Sequence, residues 1–408
     1  MTERLYYTEP ARCGFGATIV AIERPDGRVL VRLDRSAFYP TSGGQPFDTG
    51  TLGGARVVDV FDGADGPGAD LVHVVESEGR VEGLQVGQRV QGLIDWPRRF
   101  DHMQQHTGQH VLSAAFDRLS GAHTVSFHLG ADAATIDLDR EVTPAQIAAA
   151  ESEANRIVWE NRAVTIRFVS REEAAQLPLR KPPAKEGILR LIDVEGFDLS
   201  ACGGTHVART GAIGVIAIAS WERFKGGQRI EFLSGGRALA RFRSLRDTTA
   251  AAVRVLSVSA SEVPESIERL QSGIKEQRRA LAALQIELAR YRAEELAASA
   301  EETPNVRLVA RALDADASGL KALASAVTAH PRIAAVLVST GMPALVVIAR
   351  SPDLDVRSND VLAALMATFG GRGGGKPDLA QGGGLSGTAE DILAAARRLL
   401  TSGKSGRV

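Results

Sequence analysis

Two short motifs, about a hundred residues apart, place the strongest constraint on how this chain can fold. The first is Asp101-His102-Met103-Gln104-Gln105-His106-Thr107-Gly108-Gln109-His110, and the second is Cys202-Gly203-Gly204-Thr205-His206. On a helix, His106 and His110 fall one turn apart on one face. Cys202 and His206 repeat that spacing in a glycine-rich segment. Three imidazoles and a thiolate make a complete tetrahedral zinc set, so the fold is expected to bring both halves to one point. Each half alone is a weak signal, because a lone His-x-x-x-His on a helix is more often core or surface histidine. Five of the eight histidines lie between His102 and His128, and one of only two cysteines stands beside another histidine at the matching spacing. Together these favour a metal. A zinc protease needs Glu directly after the first His as general base, and Thr107 stands there instead. His102, one turn earlier, is left open between the site and a helix surface.

The chain has 408 residues, enough for two to four domains with real cores. Hydrophobic content of 44% with 24% charged is that of an ordinary soluble protein. A net charge of -1 excludes a global basic field, so a nucleic-acid partner would have to be met by local patches. Cys13 and Cys202 do not make a disulfide framework, and a ligand cysteine needs a reducing compartment. Cys13 is expected to be a buried structural residue. The start, Met1-Thr2-Glu3-Arg4, lacks a signal-peptide pattern, and no apolar run reaches about 18 residues. A cytoplasmic protein without a membrane partner is the expectation.

The pattern along the chain predicts a multidomain α+β fold in four parts. Residues 1–95 read as a small β-barrel, with strands such as 17–23 and 28–33 around a Pro25-Asp26-Gly27 turn. Within it, Phe38 to Gly50 reads either as a hairpin loop or as a backbone surface that a ligand approaches closely at Gly43 and Gly44. On the second reading Gln45 and Asp48 are polar contacts. Residues 96–240 read as an α+β domain holding the histidine helix, which ends near Leu119. Arg98 and Arg99 at its entry are either phosphate contacts or a solvated helix start. The strand that follows alternates, which predicts Thr124, Ser126 and His128 on one face as a pocket wall, with Val125, Phe127 and Leu129 behind. Thr143-Pro144 opens another helix as N-cap and first residue. Arg180 to Lys185 is a basic loop, with Lys181 either a phosphate contact or merely exposed. Residues 241–303 read as a helical linker. Ile267, Leu270, Ile274, Gln277, Leu281, Leu284, Leu288 and Tyr291 step by three and four, which fits a coiled-coil homodimer seam or a helix packed on its own chain. Residues 304–408 read as an α/β unit. Its 370–384 segment has eight glycines among fifteen residues and carries Arg372 and Lys376. That segment is expected to form a backbone nest for nucleic-acid phosphate and is not a Walker loop.

These motifs, in this order, resemble the freestanding alanyl-tRNA editing proteins of the AlaX type, in their long form. His106-x-x-x-His110 and Cys202-Gly203-Gly204-Thr205-His206 are similar to the editing domain of alanyl-tRNA synthetase. Phe38 to Gly50 resembles that family's glycine-rich motif, with Ser42 where a third glycine is common. Residues 370–384 resemble the signature of the DHH-associated C-terminal domain. The likeness covers nearly the whole chain. It implies a zinc-dependent deacylase of mischarged tRNA(Ala), acting chiefly on seryl-tRNA(Ala) and also on glycyl-tRNA(Ala). It further implies a C-terminal domain that binds tRNA. The DHH phosphoesterase core is missing, so nuclease activity is not expected; nor is tRNA charging, which needs several hundred more residues. Thr124 and Ser126 are the expected contacts to the serine hydroxyl, and His128 contacts substrate or orients a neighbour. Two rival classes remain: a zinc-structured tRNA-binding module without catalysis, and a metallohydrolase of small molecules.

Overall fold

The computed structural model describes residues 1–25, 28–63, 70–76, 83–181 and 187–401. It divides into two compact units, Met1–Ala251 and Ala252–Val408.

The first unit opens with a closed barrel of six antiparallel strands: β1 (Gly14–Glu23), β2 (Val29–Leu33), β3 (Gly50–Leu52), β4 (Ala55–Asp62), β5 (Leu71–Val75) and β6 (Arg89–Ile94). Their order is β1-β2-β5-β4-β3-β6, and β6 returns to pair with β1. The sequence dictates this through period-two burial: β2 alternates with Val29, Val31 and Leu33 inside, and β6 with Val90 and Ile94 inside. Closure leaves no open edge strand in the ring. The Asp26-Gly27 turn lies outside the described residues.

The histidine helix, α1 (Trp96–Ser120), follows directly. Asp95 caps it, accepting from the Arg98 N–H, and Gly121 at φ 61° ends it. Burial runs almost unbroken from His102 to Phe116, so α1 is a central helix enclosed on all sides. One wall is a sheet ordered β12-β13-β8-β7, from β7 (Thr124–Leu129), β8 (Ala134–Leu138), β12 (Ile216–Phe224) and β13 (Gly227–Ser234). A second sheet contains β9 (Val164–Val169), β10 (Leu189–Val194) and β11 (Asp198–Ala201) in that order. Helix α2 (Pro144–Trp159) starts at a complete capping box between Thr143 and Gln146. Val111, Leu112, Phe116, Ile136, Ile157 and Phe232 share one core.

A buried ion pair joins barrel to helix. Arg99 and Asp48 are both fully buried and paired with each other, and Arg99 also donates to the carbonyls of Ala37 (2.5 Å) and Pro10 (2.7 Å). Asp48 also accepts from the Tyr39 N–H at 2.7 Å. This corrects the expectation for both residues: a side chain with no solvent exposure holds the Phe38–Gly50 segment in place rather than meeting a ligand. Cys13 is exposed, not buried.

Helix α3 (Gly236–Leu256) crosses the boundary between the units. The expected single helical linker is interrupted near Ser257, where φ is 54°, before α4 (Val263–Ala298) begins. The second unit is built on a six-stranded sheet. Its strands are Glu301–Glu302, β14 (Arg307–Leu313), β15 (Ile333–Ser339), β16 (Ala344–Arg350), β18 (Leu379–Leu385) and β17 (Arg372–Gly375), in that spatial order. Every residue of β15 is buried. Its alternate side chains feed two cores: Ala334, Val336 and Val338 pack with α6 (Ser358–Phe369) and α7 (Ala389–Thr401), and Ile333, Ala335 and Leu337 pack with α5 (Ala317–Val327) and the end of α4. The 370–384 segment differs from expectation. Its glycines form an antiparallel hairpin at the sheet edge instead of a loop nest. Glycine allows this, since a Cβ at Gly373 or Gly375 would overlap the partner strand's backbone. Among the described residues no helix is long and apolar enough to cross a membrane.

The Arg99–Asp48 pair generates a prediction. Arg99→Ala leaves a buried, unpaired carboxylate and should cost about 3–5 kcal/mol. Hydrogen exchange of β1 and α1 amides should accelerate correspondingly; unchanged protection would show that the pair does not hold barrel and helix together.

Candidate metal centre

His106 and His110 leave the enclosed face of α1 one turn apart, and the segment after β11 brings Cys202 and His206 against them. One donor atom from each of the four lies within 4.8 Å of every other. The thiol Sγ stands 3.3 Å from His106 Nε2 and 3.4 Å from His206 Nε2. Gly204 makes the approach possible, because a Cβ there would overlap the His106 ring.

Each imidazole spends its other nitrogen on a buried partner. His106 Nδ1 lies 2.8 Å from Gln45 Oε1, His110 Nδ1 lies 2.9 Å from Asp198 Oδ2, and His206 Nδ1 lies 3.3 Å from Thr107 Oγ1. Oxygen acceptors at all three Nδ1 positions fix the tautomer with Nδ1 protonated and leave every Nε2 lone pair for a metal. Thr107 suits this role because its own hydroxyl proton goes to the Met103 carbonyl at 2.8 Å. Asp198 is held by Arg180 Nε at 2.7 Å and by the Ser200 hydroxyl.

The charges divide. Burial opposes the charge on His110, but its hydrogen bonds to Asp198 and Cys202 raise it to about 9, so a metal would have to displace that proton, whereas the thiol and His206 already suit a ligand set. Burial opposes ionisation of Cys202, but the surrounding imidazoles outweigh it and drive the thiol well below its ordinary range, toward the thiolate that metals bind. Burial lowers His206 to about 3, which keeps it neutral. Burial also opposes the Asp198 carboxylate, yet the His110 hydrogen bond and the Arg180 charge bring it down to about 2. The donor set, one soft thiolate with three imidazoles, fits zinc.

A cleft of about 390 Å³ opens beside the cluster. Tyr7, Tyr39, Ser42 and Gly43 line its barrel side, and Gln109, Thr124, Ser126 and Phe127 line the other. Gly44, at φ 83°, lets the two sides meet: its carbonyl accepts from the Leu129 N–H, and a Cβ would fall 2.6 Å from the Phe127 carbonyl. Below the cleft, Gln109 Nε2 and the Thr124 hydroxyl both donate to Ser113 Oγ, at 2.8 and 2.7 Å.

Residues 189–231 match the family described as the threonyl and alanyl tRNA synthetase second additional domain, and residues 305–402 match the DHHA1 domain. The alanine–tRNA ligase of Pyrococcus abyssi is 33% identical over 392 residues, spanning 93% of this chain and 42% of that enzyme. That of Methanothrix thermoacetophila is 36% identical over 402 residues, spanning 94% of this chain and again 42% of the enzyme. Over nearly its whole length the chain is similar to one part of alanine–tRNA ligases. It spans less than half the length of these relatives. A solved C-Ala domain of Aquifex aeolicus alanyl-tRNA synthetase matches 26% of this chain and 98% of its own length at 26% identity, with a TM-score of 0.23.

In this chain the four expected ligands come together, and the other expected site residues divide. Gln45 is fully buried and serves His106 and Thr205, so it orients the cluster instead of meeting a ligand. Val125 is a bulge in β7: Thr124 pairs with Leu138 while Ser126 pairs with Asp137. The extra residue reverses the alternation, so Thr124 points inward on the side of Phe127 and Leu129, whereas Ser126 and His128 are exposed. Thr124 and Ser126 line the cleft; His128 is not among its lining residues. Gly43, Gly44 and Lys181 are exposed, Lys181 at the cleft rim. The rest of the basic loop, Pro182 to Lys185, lies outside the described residues. Arg98 is half-buried, donating to the Phe47 carbonyl at 3.0 Å with its guanidinium over the Phe47 ring. His102 is buried outside the cluster, and burial together with Arg98 lowers it to about 4. Arg372 and Lys376 are exposed on the glycine hairpin of the second unit. Sequence reasoning missed Asp198, Thr107, Gln109 and Ser113 as parts of the site. Only Asp198, a carboxylate four residues before Cys202, carried a signal.

The two adjacent glycines should separate cleanly. At Gly203 a Cβ meets only Tyr7 atoms at 3.9 Å, an ordinary contact. Gly203→Ala is therefore expected to bind Co²⁺ with the thiolate-to-metal absorption of the parent. Gly204→Ala should lose at least tenfold in affinity as the His106 ring is displaced; equal binding by both variants would contradict the geometry.

Proposed function

We propose that this chain is a hydrolase acting in trans on mischarged tRNA(Ala), releasing serine chiefly and glycine as a second substrate, at a zinc centre held by His106, His110, Cys202 and His206. The observation that carries the reading is the convergence of four donor atoms, all within 4.8 Å of one another, beside a cleft large enough for an aminoacyl group. Similarity to alanine–tRNA ligases supports tRNA(Ala) as the partner. A pocket selecting alanine cannot strongly reject a smaller residue or one that adds a hydroxyl, so a second site must correct the error.

The chain's own residues supply recognition. A serine hydroxyl entering the cleft joins the Gln109–Ser113–Thr124 network, whereas an alanyl methyl would bury against it without a hydrogen bond. Ser126 at the cleft contacts the incoming ester, and no role is retained for His128. Gln45, Asp198 and Thr107 hold the imidazoles so that none has to reorganise during the reaction. Zinc, when bound, supplies Lewis acidity toward the ester carbonyl or toward a water. Gly43, Gly44, Arg98 and Lys181 are proposed to meet the terminal nucleotides, and Arg372 and Lys376 the tRNA body. The seam from Ile267 to Tyr291 is exposed on α4, for example Leu281 at 59% and Leu284 at 63%, which supports a homodimer through the helical linker and C-terminal domain. Charged tRNA and a reduced thiolate coexist in the cytoplasm, the proposed location.

One feature favours a second reading. Four protein donors close a tetrahedral shell, as in structural zinc sites, which suits a tRNA-binding module without catalysis. Deacylation by the metal-replete protein decides between them. Seryl-tRNA(Ala) should be hydrolysed and alanyl-tRNA(Ala) spared, and Thr124→Val should slow serine release by roughly 10–100-fold. Release of neither amino acid, with tRNA still bound, would establish the non-catalytic module.

A further inference from the structure

Three tyrosines from the barrel side stand at the cleft: Tyr6, Tyr7 and Tyr39. Two have their hydroxyls engaged. Tyr6 accepts from Arg4 Nη1 at 3.0 Å, and Tyr39 donates to the Ser42 carbonyl at 3.1 Å. The Tyr7 hydroxyl has no hydrogen-bond partner among the described residues, although a phenol in a half-buried position usually finds one. It is not mobile for lack of support. The ring meets Tyr6 edge-on at 4.9 Å, and the Arg190 guanidinium lies over it at 5.6 Å.

Arg190 ties this ring to the ligand segment. It is nine-tenths buried and forms no ion pair among the described residues. Its Nε donates to the carbonyl of Tyr7 (2.9 Å) and its Nη1 to those of Cys202 (2.7 Å) and Gly204 (3.0 Å), while its buried Nη2 has no partner among the described residues. One guanidinium therefore sets the position of the Tyr7 backbone and of the segment carrying the thiolate. The phenol end faces Gly203, where a Cβ would stand 3.9 Å from the oxygen. A rigid hydroxyl, able to donate and accept, is thus presented to the cleft beside the residue that follows Cys202.

We propose that the Tyr7 hydroxyl is a substrate contact, hydrogen-bonding the ribose hydroxyl vicinal to the scissile ester, and that Arg190 is its positioning residue. The proposal rests on the editing reading above. The chemistry that fits is a hydroxyl that both donates and accepts, next to an ester whose carbonyl is directed to the metal ligands. A terminal ribose carries one; a free amino-acid ester does not. Because the ring is already fixed, the contact costs little ordering on binding.

The test is a cycle between protein and substrate. Wild type and Tyr7→Phe are each assayed on seryl-tRNA(Ala) ending in adenosine or in 2′-deoxyadenosine, with serine on the 3′ oxygen. Tyr7→Phe keeps the ring, so the Co²⁺ absorption of the centre should be unchanged. On the natural substrate it should lose about tenfold in kcat/KM. On the deoxy substrate wild type and variant should differ by less than twofold, since the partner is gone from both. A loss in Tyr7→Phe of the same size on both substrates, or no loss on either, overturns the contact while leaving editing intact. Wild-type protein that hydrolyses neither substrate overturns the editing reading and this inference with it.

Discussion

The centre depends first on one buried amide. Gln45 Oε1 accepts from His106 Nδ1 at 2.8 Å and from the Thr205 N–H at 3.1 Å, while its Nε2 donates to the Thr205 hydroxyl at 2.9 Å. One side chain from the barrel thereby fixes a residue of the central helix and a residue of the Cys202–His206 segment. Glutamine offers the chemistry required: an amide oxygen with two lone pairs and an amide N–H that donates. A carboxylate would leave the Thr205 hydroxyl to reorient, and an apolar residue would leave His106 free to take either tautomer. Asp198 and Thr107 repeat the device for the other two imidazoles. The small barrel is thus part of the centre's geometry, and the Arg99–Asp48 pair matters because it anchors the segment that carries Gln45.

What the sequence made legible follows from the range of each interaction. The convergence of His106, His110, Cys202 and His206 was readable because a set of residues able to hold a metal has few alternatives and a fixed spacing. The helix start at Thr143 was readable because capping is local. The period of two predicted the barrel strands for the same reason. It failed at Thr124, where a bulge at Val125 reverses the face, and a bulge depends on the register with β8, which no local pattern records. Arg99 and Asp48 looked like surface contacts because charged residues usually are. Their pairing across 51 positions of sequence becomes visible only once helix and barrel meet. The glycine-rich 370–384 segment looked like a loop on composition, yet it forms a hairpin in which partner backbones occupy the space of side chains.

The cleft combines two kinds of surface. One side offers hydroxyls and an amide joined through Ser113, suited to reading a small polar side chain. The other offers tyrosines and exposed glycine backbone, suited to a nucleoside. Between them stand His106, His110, Cys202 and His206. An aminoacyl-tRNA end has these same three parts in this same order: amino acid, ester, ribose. That correspondence, more than any single residue, is the physical case for editing. The second unit is a separate sheet with two cores, and its exposed arginine and lysine sit on an edge hairpin whose glycines allow close approach of a backbone.

X-ray absorption at the zinc edge of the purified protein tests the central claim most directly. Three nitrogen neighbours at about 2.0 Å and one sulfur at about 2.3 Å are the result the geometry predicts. A protein that takes up no zinc, or a first shell without sulfur, would contradict it.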